Sequence, residues 1–398
     1  MENGISVERA LELIVKYVHP LPSMSCPAAS AEGRVLSENL YAPMDQPPWP
    51  RSPLDGYALR SADSGPGAKL LVTATVYAGG YCDATVRPGE TVRLMTGAPI
   101  PSGCDCVIRQ EDTDRGEEIV TLNKALRPWE NYCYEGEDFK EGVLLLPAGT
   151  RLSGLAYGLL ASAGLMGREL RVRSRLRAAL ISTGDELVPA DAPALGPGKI
   201  YSSNAPLLAS RLRCLGVDVT LYRETFSDNA AALAETIRAA LPDCDMVLTT
   251  GGVSVGVKDI LHETLPLLNA ERVFWKVRLK PGSPLMFSLV DGVPILSLSG
   301  NPFAAAATFE LFARPLLSAL EGCADLLPTP VPAVLDTAFL KTAPVPRYVR
   351  GVYSDGRVTL PKGHSSGQLA SGLGTNCLAL IPAETVCEAG AEVRAWLL

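Results

Sequence analysis

The stretch Asp245-Met-Val-Leu-Thr-Thr-Gly-Gly-Val-Ser-Val-Gly-Val-Lys-Asp259 constrains the fold more than any other part of the 398-residue chain. Met246 to Thr250 is a short apolar, partly β-branched run that reads as a buried strand. Gly251 and Gly252 end it, and Ile260, Leu261, Thr264 and Leu265 follow at helical spacing. A strand that passes through a Gly/Ser loop into a helix start exposes backbone N–H groups at a positive helix end, which suits phosphate. Asp245, Lys258 and Asp259 bracket the loop with charge of both signs, as a metal-assisted phosphate site requires. A tight strand-to-helix turn that binds nothing fits the loop taken alone equally well. Val257 before Lys258 and Asp259 after it exclude a Walker A loop, and the glycine spacing excludes a dinucleotide fingerprint.

Strands alternating with helices surround this stretch, so residues 176–325 are expected to form a doubly wound α/β domain with parallel strands. Asn204 is expected to cap a helix over 207–215, and Ser227 or Asp228 one over 230–241. In such a sheet, ligands sit beyond the carboxyl ends of the strands. Thr183-Gly-Asp185-Glu186, the Gly251–Gly256 loop and Lys280-Pro-Gly-Ser283 all fall at that edge, and Asp228 at a helix start faces the same way. They offer carboxylates for Mg²⁺, N–H groups for phosphate and a lysine point charge.

Ahead of this domain, Ser6 is expected to cap a helix whose apolar face is Val7, Ala10, Leu11, Ile14, Val15 and Val18, stopped by Pro20 and Pro22. Met44 to Pro53 holds four prolines and reads as an extended linker. Short β runs with Gly/Pro turns follow from Lys69 to Leu146, carrying acidic turns at Asp55 and Gly136-Glu-Asp138. Leu327 to Pro332 reads as a second Pro-rich linker, before an all-β tail.

A net charge of −7 without a basic run gives no reason to expect nucleic acid, and the apolar window Leu155–Gly167 is too short for a bilayer. The N-terminus has no basic-then-apolar signal pattern, so a cytoplasmic protein is expected. The ten cysteines lack C-x-x-C spacing and read as reduced, mostly buried side chains, and the three histidines are too dispersed for a zinc site.

Several blocks together resemble the MoeA family, the molybdopterin molybdenumtransferases, which are also similar to the gephyrin E domain and its plant counterpart. They are Pro47-Pro48 with Ser52-Pro-Leu-Asp-Gly-Tyr-Ala58, Arg93-Leu-Met-Thr-Gly-Ala-Pro99, Gln110-Glu-Asp-Thr113 and Gly136-Glu-Asp138. Further along come Ser182-Thr-Gly-Asp-Glu-Leu187, Ile200-Tyr-Ser-Ser-Asn204, Thr250-Gly-Gly-Val-Ser-Val-Gly256, Lys280-Pro-Gly282 and Gly300-Asn-Pro302.

The resemblance implies four parts. These are a helical or extended dimerisation domain from 1–45 and 145–175, an inserted β domain at 46–144, a molybdopterin-binding α/β domain at 176–325, and a C-terminal β-barrel at 326–398. It implies a homodimer acting on adenylylated molybdopterin and molybdate (or tungstate), with Mg²⁺-dependent release of AMP. A MogA-type adenylyltransferase would supply the substrate, and molybdoenzymes would accept the product.

Under this resemblance Asp185, Glu186 and Asp228 serve the metal, and Asp245, Gly251, Gly252, Ser254, Gly256, Asn301 and Pro302 serve phosphate and pterin. Lys276, Lys280, Glu186 and Asp259 take catalytic roles, and Arg350 and Ser371 of the tail close over the pterin. Asp55, Thr96 and Asp138 come from the partner subunit. Two segments depart from the family pattern. Ser283 stands where a second lysine is common, and Leu298-Ser-Gly-Asn-Pro-Phe-Ala304 replaces Leu-Pro-Gly-Asn-Pro-Val-Ser. Each change removes an oxyanion partner, about 1–3 kcal/mol apiece, which the Ser283 and Ser299 hydroxyls are expected to offset in part. A MogA-type adenylyltransferase, or a non-catalytic oxyanion- or pterin-binding scaffold, are the competing functions.

Overall fold

The computed structural model describes residues 1–226, 229–253 and 260–398. Ser227, Asp228, Ser254, Gly256, Lys258 and Asp259 therefore lie outside the described residues. The chain divides into two compact units, one of Met1–Cys26, Gly33–Ser37 and Arg171–Leu398, the other of Pro27–Glu32 and Glu38–Leu170.

A seven-stranded sheet organises the first unit, in the order Glu2–Ile5, Glu271–Val277, Met286–Val290, Val293–Leu298, Met246–Thr250, Arg177–Thr183, Asp218–Phe226. The last four strands run parallel, but the sheet as a whole is mixed. Asp291-Gly292, both at positive φ, turns Met286–Val290 directly back onto Val293–Leu298. That pair is a hairpin signature, because both central residues of the tightest turns need left-handed backbone. The parallel expectation fails at Met286–Val290, which pairs antiparallel with both of its neighbours.

Successive strand residues feed two cores. Ala178, Leu180, Met246 and Leu248 join Ile14, Leu208, Leu212, Phe309 and Phe312 on one face. Ala179, Ile181 and Val247 join Leu233, Ile237, Leu261 and Leu265 on the other. Alternation between two apolar faces is what a sheet covered on both sides requires.

The first helix, Val7–Tyr17, begins where Ser6 Oγ accepts Arg9 N at 3.2 Å. Its buried stripe is Val7, Ala10, Leu13 and Ile14, while Val15 is exposed. The cap of Ala230–Ala240 is Asn229, whose side chain accepts Ala232 N.

Pro302–Glu321 is, among the described residues, the one helical run long and apolar enough to cross a membrane, but 83% of its apolar window is buried in the core. Its middle, Phe309–Ala313, is a π-turn. The Glu310 carboxylate there accepts Arg211 Nε at 2.7 Å and Arg314 Nη1 at 3.2 Å, within the protein interior.

The chain ends in a closed barrel of Pro330–Leu335, Arg357–Thr359, Arg347–Ser354, Cys377–Ile381 and Glu392–Leu397. Pro330 and Pro332 pair with Trp396 and Arg394, so the second Pro-rich segment is a barrel strand and not a free linker.

The second unit is built on a five-stranded sheet in the order Cys106–Arg109, Gly56–Leu59, Glu90–Leu94, Lys69–Val76, Ile119–Thr121. Its faces alternate between a core with Ala58, Val92 and Val107 and one with Tyr57, Leu59 and Ile108. The proline-rich segment before it also belongs to the fold. Gln46 bonds Phe139, Arg51 bonds Cys133, and Ser52 bonds Gly97 and Ala98, all through the main chain. Proline fixes φ but leaves its carbonyl and its neighbours' N–H groups free to pair, so this segment stitches two loops together. Seven of the ten cysteines are buried.

Candidate active site

Strand register aligns the ends of the parallel strands. Ser182 pairs with Thr250, and Thr250 with Leu298. Just beyond these ends opens a cavity of about 930 Å³, walled by Thr183–Leu187, Ile200–Asn204, Thr250–Val253, Lys280–Pro284, Ser299–Ala304 and barrel residues Arg347–Val349, His364, Ser366 and Gly367.

The Gly-rich wall is fixed by close backbone packing. Gly251 has φ +94°, and a Cβ there would lie closer than 3.0 Å to the Thr183 carbonyl oxygen. Gly251 N donates to Leu298 O at 3.1 Å, Thr183 Oγ1 to Thr250 O at 3.3 Å, and Trp275 Nε1 to Val253 O at 3.1 Å. Asn204 ties the neighbouring loops, its Nδ2 donating to Thr250 Oγ1 and to Gly300 O, each at 2.8 Å. Its helix, Asn204–Cys214, has no side-chain cap. Asn204 is a site residue rather than the cap expected from its position, and its two partners lie too far away in sequence to be read locally.

At the carboxylate end, Gly184 (φ +150°) leaves room for Glu186, whose Oε1 and Oε2 would lie 2.8 Å from a Cβ at that position. The following Leu187–Val188 pairs with Ile200–Tyr201, which holds both acidic residues at the rim. Among the described residues no group of three or more His, Cys, Asp or Glu could hold a metal. Two rim carboxylates do fit Mg²⁺, which keeps waters and takes further ligands from substrate phosphates rather than from an all-protein cage.

At the lysine end, Lys280 N donates to Pro346 O at 2.9 Å, and Tyr348 N donates to Lys280 O at 2.7 Å. Gly282 (φ +92°) sits against Thr308, where a Cβ would collide with the helix. The Ser283 hydroxyl donates to Val277 O at 2.9 Å, so its proton is committed and cannot offset a missing cation as expected. Ser299 Oγ accepts Asn301 N at 3.4 Å.

Of the residues singled out from sequence, Asp185, Glu186, Gly251, Gly252, Lys280, Ser283, Ser299, Asn301 and Pro302 meet around this cavity. Four others do not line it. Asp245 precedes the strand whose far end carries the loop; its carboxylate accepts Arg177 N at 2.8 Å and pairs with the guanidinium at 3.1 Å, so it secures the opposite edge of the sheet. Lys276, at φ +63°, stacks Nζ over Trp275 at 4.2 Å. Arg350 is buried, lies 3.6 Å over the Phe303 ring, and donates to the Ser365 and Gln368 carbonyls. It braces the loop that contributes Ser366 and Gly367. Ser371 Oγ is buried and, among the described residues, without a partner.

Sequence reasoning did not place Arg347 or His364 at the site. Burial, followed by the charges of Arg350, Lys341 and Arg347, holds the His364 imidazole below its ordinary value.

Asp55, Thr96 and Asp138 belong to the second unit. Asp55 Oδ1 accepts both Thr96 N (2.7 Å) and Thr96 Oγ1 (2.8 Å), and Gly56 beside it presses on the Ile108 carbonyl, where no Cβ fits. The Thr96 hydrogen bonds hold the Asp55 carboxyl below the usual aspartate value. A depressed pKa adds stability that is present above the unfolded value and lost as pH falls through the folded one. Thr96→Val removes the hydroxyl bond, so the Asp55 carboxyl should titrate nearer its ordinary value in ¹³C NMR. An unchanged midpoint would show that the hydroxyl does not hold it. Asp138 lies on the stitched loop, its N donating to Gln46 O at 2.9 Å.

Comparison with known proteins agrees with this architecture. Family models described as MoeA N-terminal region (domain I and II), probable molybdopterin binding domain, and MoeA C-terminal region (domain IV) match residues 5–164, 179–319 and 332–398. A molybdopterin molybdenumtransferase of Staphylococcus aureus (strain COL) is 33% identical over 389 residues, covering 96% of this chain and 92% of the relative. One from Staphylococcus epidermidis is 33% identical over 390 residues, with the same coverage. The crystal structure of the molybdopterin biosynthesis moeA protein from Pyrococcus horikoshii OT3 superposes with TM-score 0.86 at 26% identity, covering 99% of this chain and 100% of that one. The chain belongs to the MoeA family of molybdopterin molybdenumtransferases, which are transferases of molybdenum cofactor biosynthesis.

Proposed function

We propose that the cavity joins molybdate to the dithiolene of adenylylated molybdopterin and releases AMP. One observation carries this reading: two carboxylates, a glycine-lined backbone turn and Lys280 open onto one cavity at the carboxyl ends of parallel strands. The reacting partners are both anions, so the protein's main task is to offset charge at fixed positions. The turn at Gly251 and Gly252 brings bare backbone to the phosphates. Lys280 attracts the oxyanion, and Ser299 and Asn301 orient it. Asp185 and Glu186 would hold Mg²⁺, which supplies charge neutralisation at the pyrophosphate link.

Asp55, Thr96 and Asp138 act on the same reaction from a second copy of the chain, in a homodimer. A MogA-type adenylyltransferase supplies the nucleotide substrate and molybdoenzymes take the product, in the cytoplasm.

The test is a defined insertion assay with adenylylated molybdopterin and with molybdate and tungstate side by side. Oxyanion-dependent AMP release is expected. Stable pterin binding without AMP release would overturn catalysis in favour of a scaffold, and ATP consumption would point to an adenylyltransferase.

A further inference from the structure

Trp275 does not line the cavity, yet its indole reaches the glycine turn that does. An indole N–H can only donate, and Trp275 Nε1 gives its one proton to Val253 O at 3.1 Å. The preceding carbonyl, Gly252 O, accepts Leu261 N at 3.2 Å. Two consecutive carbonyls of the turn are thus tied to the body of the domain, one by the helix Leu261–Leu267 and one by the strand Glu271–Val277. The N–H groups of Gly252 and Val253 have no acceptor among the described residues, and both residues line the cavity. Gly251 and Gly252 are left-handed, at φ +94° and +62°, and successive N–H groups on turn backbone form a concave seat for an anion. Two side chains fix the half-buried indole ring. Lys276 lays Nζ over it at 4.2 Å, and His262 packs against it in a T at 4.4 Å. Lys276 has φ +63°, a left-handed conformation that is costly for a residue with a Cβ. Strain of this kind persists where the surroundings fix it and gathers at ligand sites.

We propose that Trp275 is a positioning residue for the nucleotide phosphate: by holding the Val253 carbonyl, its indole N–H keeps the Gly252 and Val253 amides available to the cavity. This deepens, and rests on, the phosphate reading of the glycine turn given above. Released from the indole, the Val253 carbonyl is free to rotate toward the cavity. A carbonyl oxygen and a phosphate oxygen are both acceptors, so a turn flipped in this way repels what the native turn attracts. Lys276 and His262 hold the indole in the orientation that reaches the carbonyl. Trp275 acts through Val253 and touches no substrate atom. The Lys280 end of the cavity does not depend on this carbonyl, which makes molybdate an internal control.

Calorimetric titration of the full chain with AMP, and with molybdate as the control, provides the test. Trp275→Phe keeps an aromatic ring between Lys276 and His262 and removes the N–H. It should weaken AMP binding about fivefold, the effect of losing one neutral hydrogen bond, and leave molybdate within about twofold. Unchanged AMP affinity overturns the clamp, and so does an equal loss for molybdate. Wild-type protein that binds no AMP overturns it too, together with the phosphate reading of the turn. A second readout sees the N–H itself. The chain has four tryptophans, so its ¹⁵N–¹H spectrum holds four indole signals, and the one missing in Trp275→Phe belongs to Trp275. AMP should shift that signal and molybdate should leave it in place; a signal indifferent to AMP overturns the clamp. In the insertion assay, Trp275→Phe should raise KM for adenylylated molybdopterin about fivefold with kcat within about twofold, a split that loss of folded protein would not produce. A thermal melt checks folding. Should Trp275→Phe fail to fold, Trp275→Tyr carries the titration with the same expectation, because its larger ring fills more of the space and places no N–H there. Wild-type protein that binds AMP more tightly than Trp275→Phe yet releases none in the insertion assay would remove the proposed reaction and leave the clamp. Equal AMP binding by the two proteins, with normal turnover, would remove the clamp and leave the reaction.

Discussion

Gly251→Ala is expected to lower stability by roughly 2–5 kcal/mol and to abolish measurable activity. Two effects add at this position. Left-handed backbone at φ +94° is costly for any residue with a Cβ, about 1–2 kcal/mol. The new methyl would also meet the Thr183 carbonyl closer than 3.0 Å, and this neighbour is backbone held in a central strand. Neither strand end can retreat, because Thr183 and Gly251 are tied by hydrogen bonds to Thr250 and Leu298. Gly252→Ala is the control. Its φ of +62° suits the left-handed region better, and its nearest neighbours, at 3.1 Å, are side-chain atoms of Ile260 and Thr183. That variant should lose only about 1 kcal/mol. Urea denaturation of both decides the matter: equal losses would show that backbone crowding against Thr183 is not what makes Gly251 necessary.

Glu186→Gln should reduce kcat/KM for cofactor formation by about 100-fold or more, while the melting temperature stays within about 2 °C of wild type. The side chain is exposed at the cavity rim and stabilises nothing by burial, so amide for carboxylate leaves the fold untouched. What changes is one negative charge where Gly184 leaves room for it. A divalent ion held by one or two carboxylates loses much of its affinity when one of them is neutralised. The Mg²⁺ concentration for half-maximal AMP release should therefore rise, and Asp185→Asn should behave in the same direction. Full activity in Glu186→Gln at low Mg²⁺ would remove the metal assignment.

Features set by neighbours in sequence were readable, and those set by distant neighbours were not. The Met246–Thr250 strand, the glycine turn after it and the Ser6 cap follow from local pattern alone, and the structure contains each. Asp245 looked like part of the loop because only a short strand separates them, yet those five residues carry it to the opposite edge, beside Arg177. Asn204 has the composition of a helix cap, but its amide is taken by Thr250 and Gly300. Both proline-rich stretches read as linkers because proline lacks a donor. The carbonyls and neighbouring N–H groups that pair in the structure leave no compositional trace. The edge strand Glu2–Ile5 is too short and polar to announce itself, and its pairing with Glu271–Val277 comes from the far side of the sequence. Arg347 reads as an ordinary strand arginine until the bridge to Lys280 is seen.

That bridge has a consequence for how the chain can be cut or recombined. Because residues 346 and 348 supply both main-chain partners of Lys280, the terminal barrel is not a detachable module hung on a complete enzyme. A shortened chain ending before the barrel would keep every glycine and acidic loop of the sheet edge and still leave its lysine untethered. A chimera that borrows a barrel from a relative would inherit that relative's setting of the lysine.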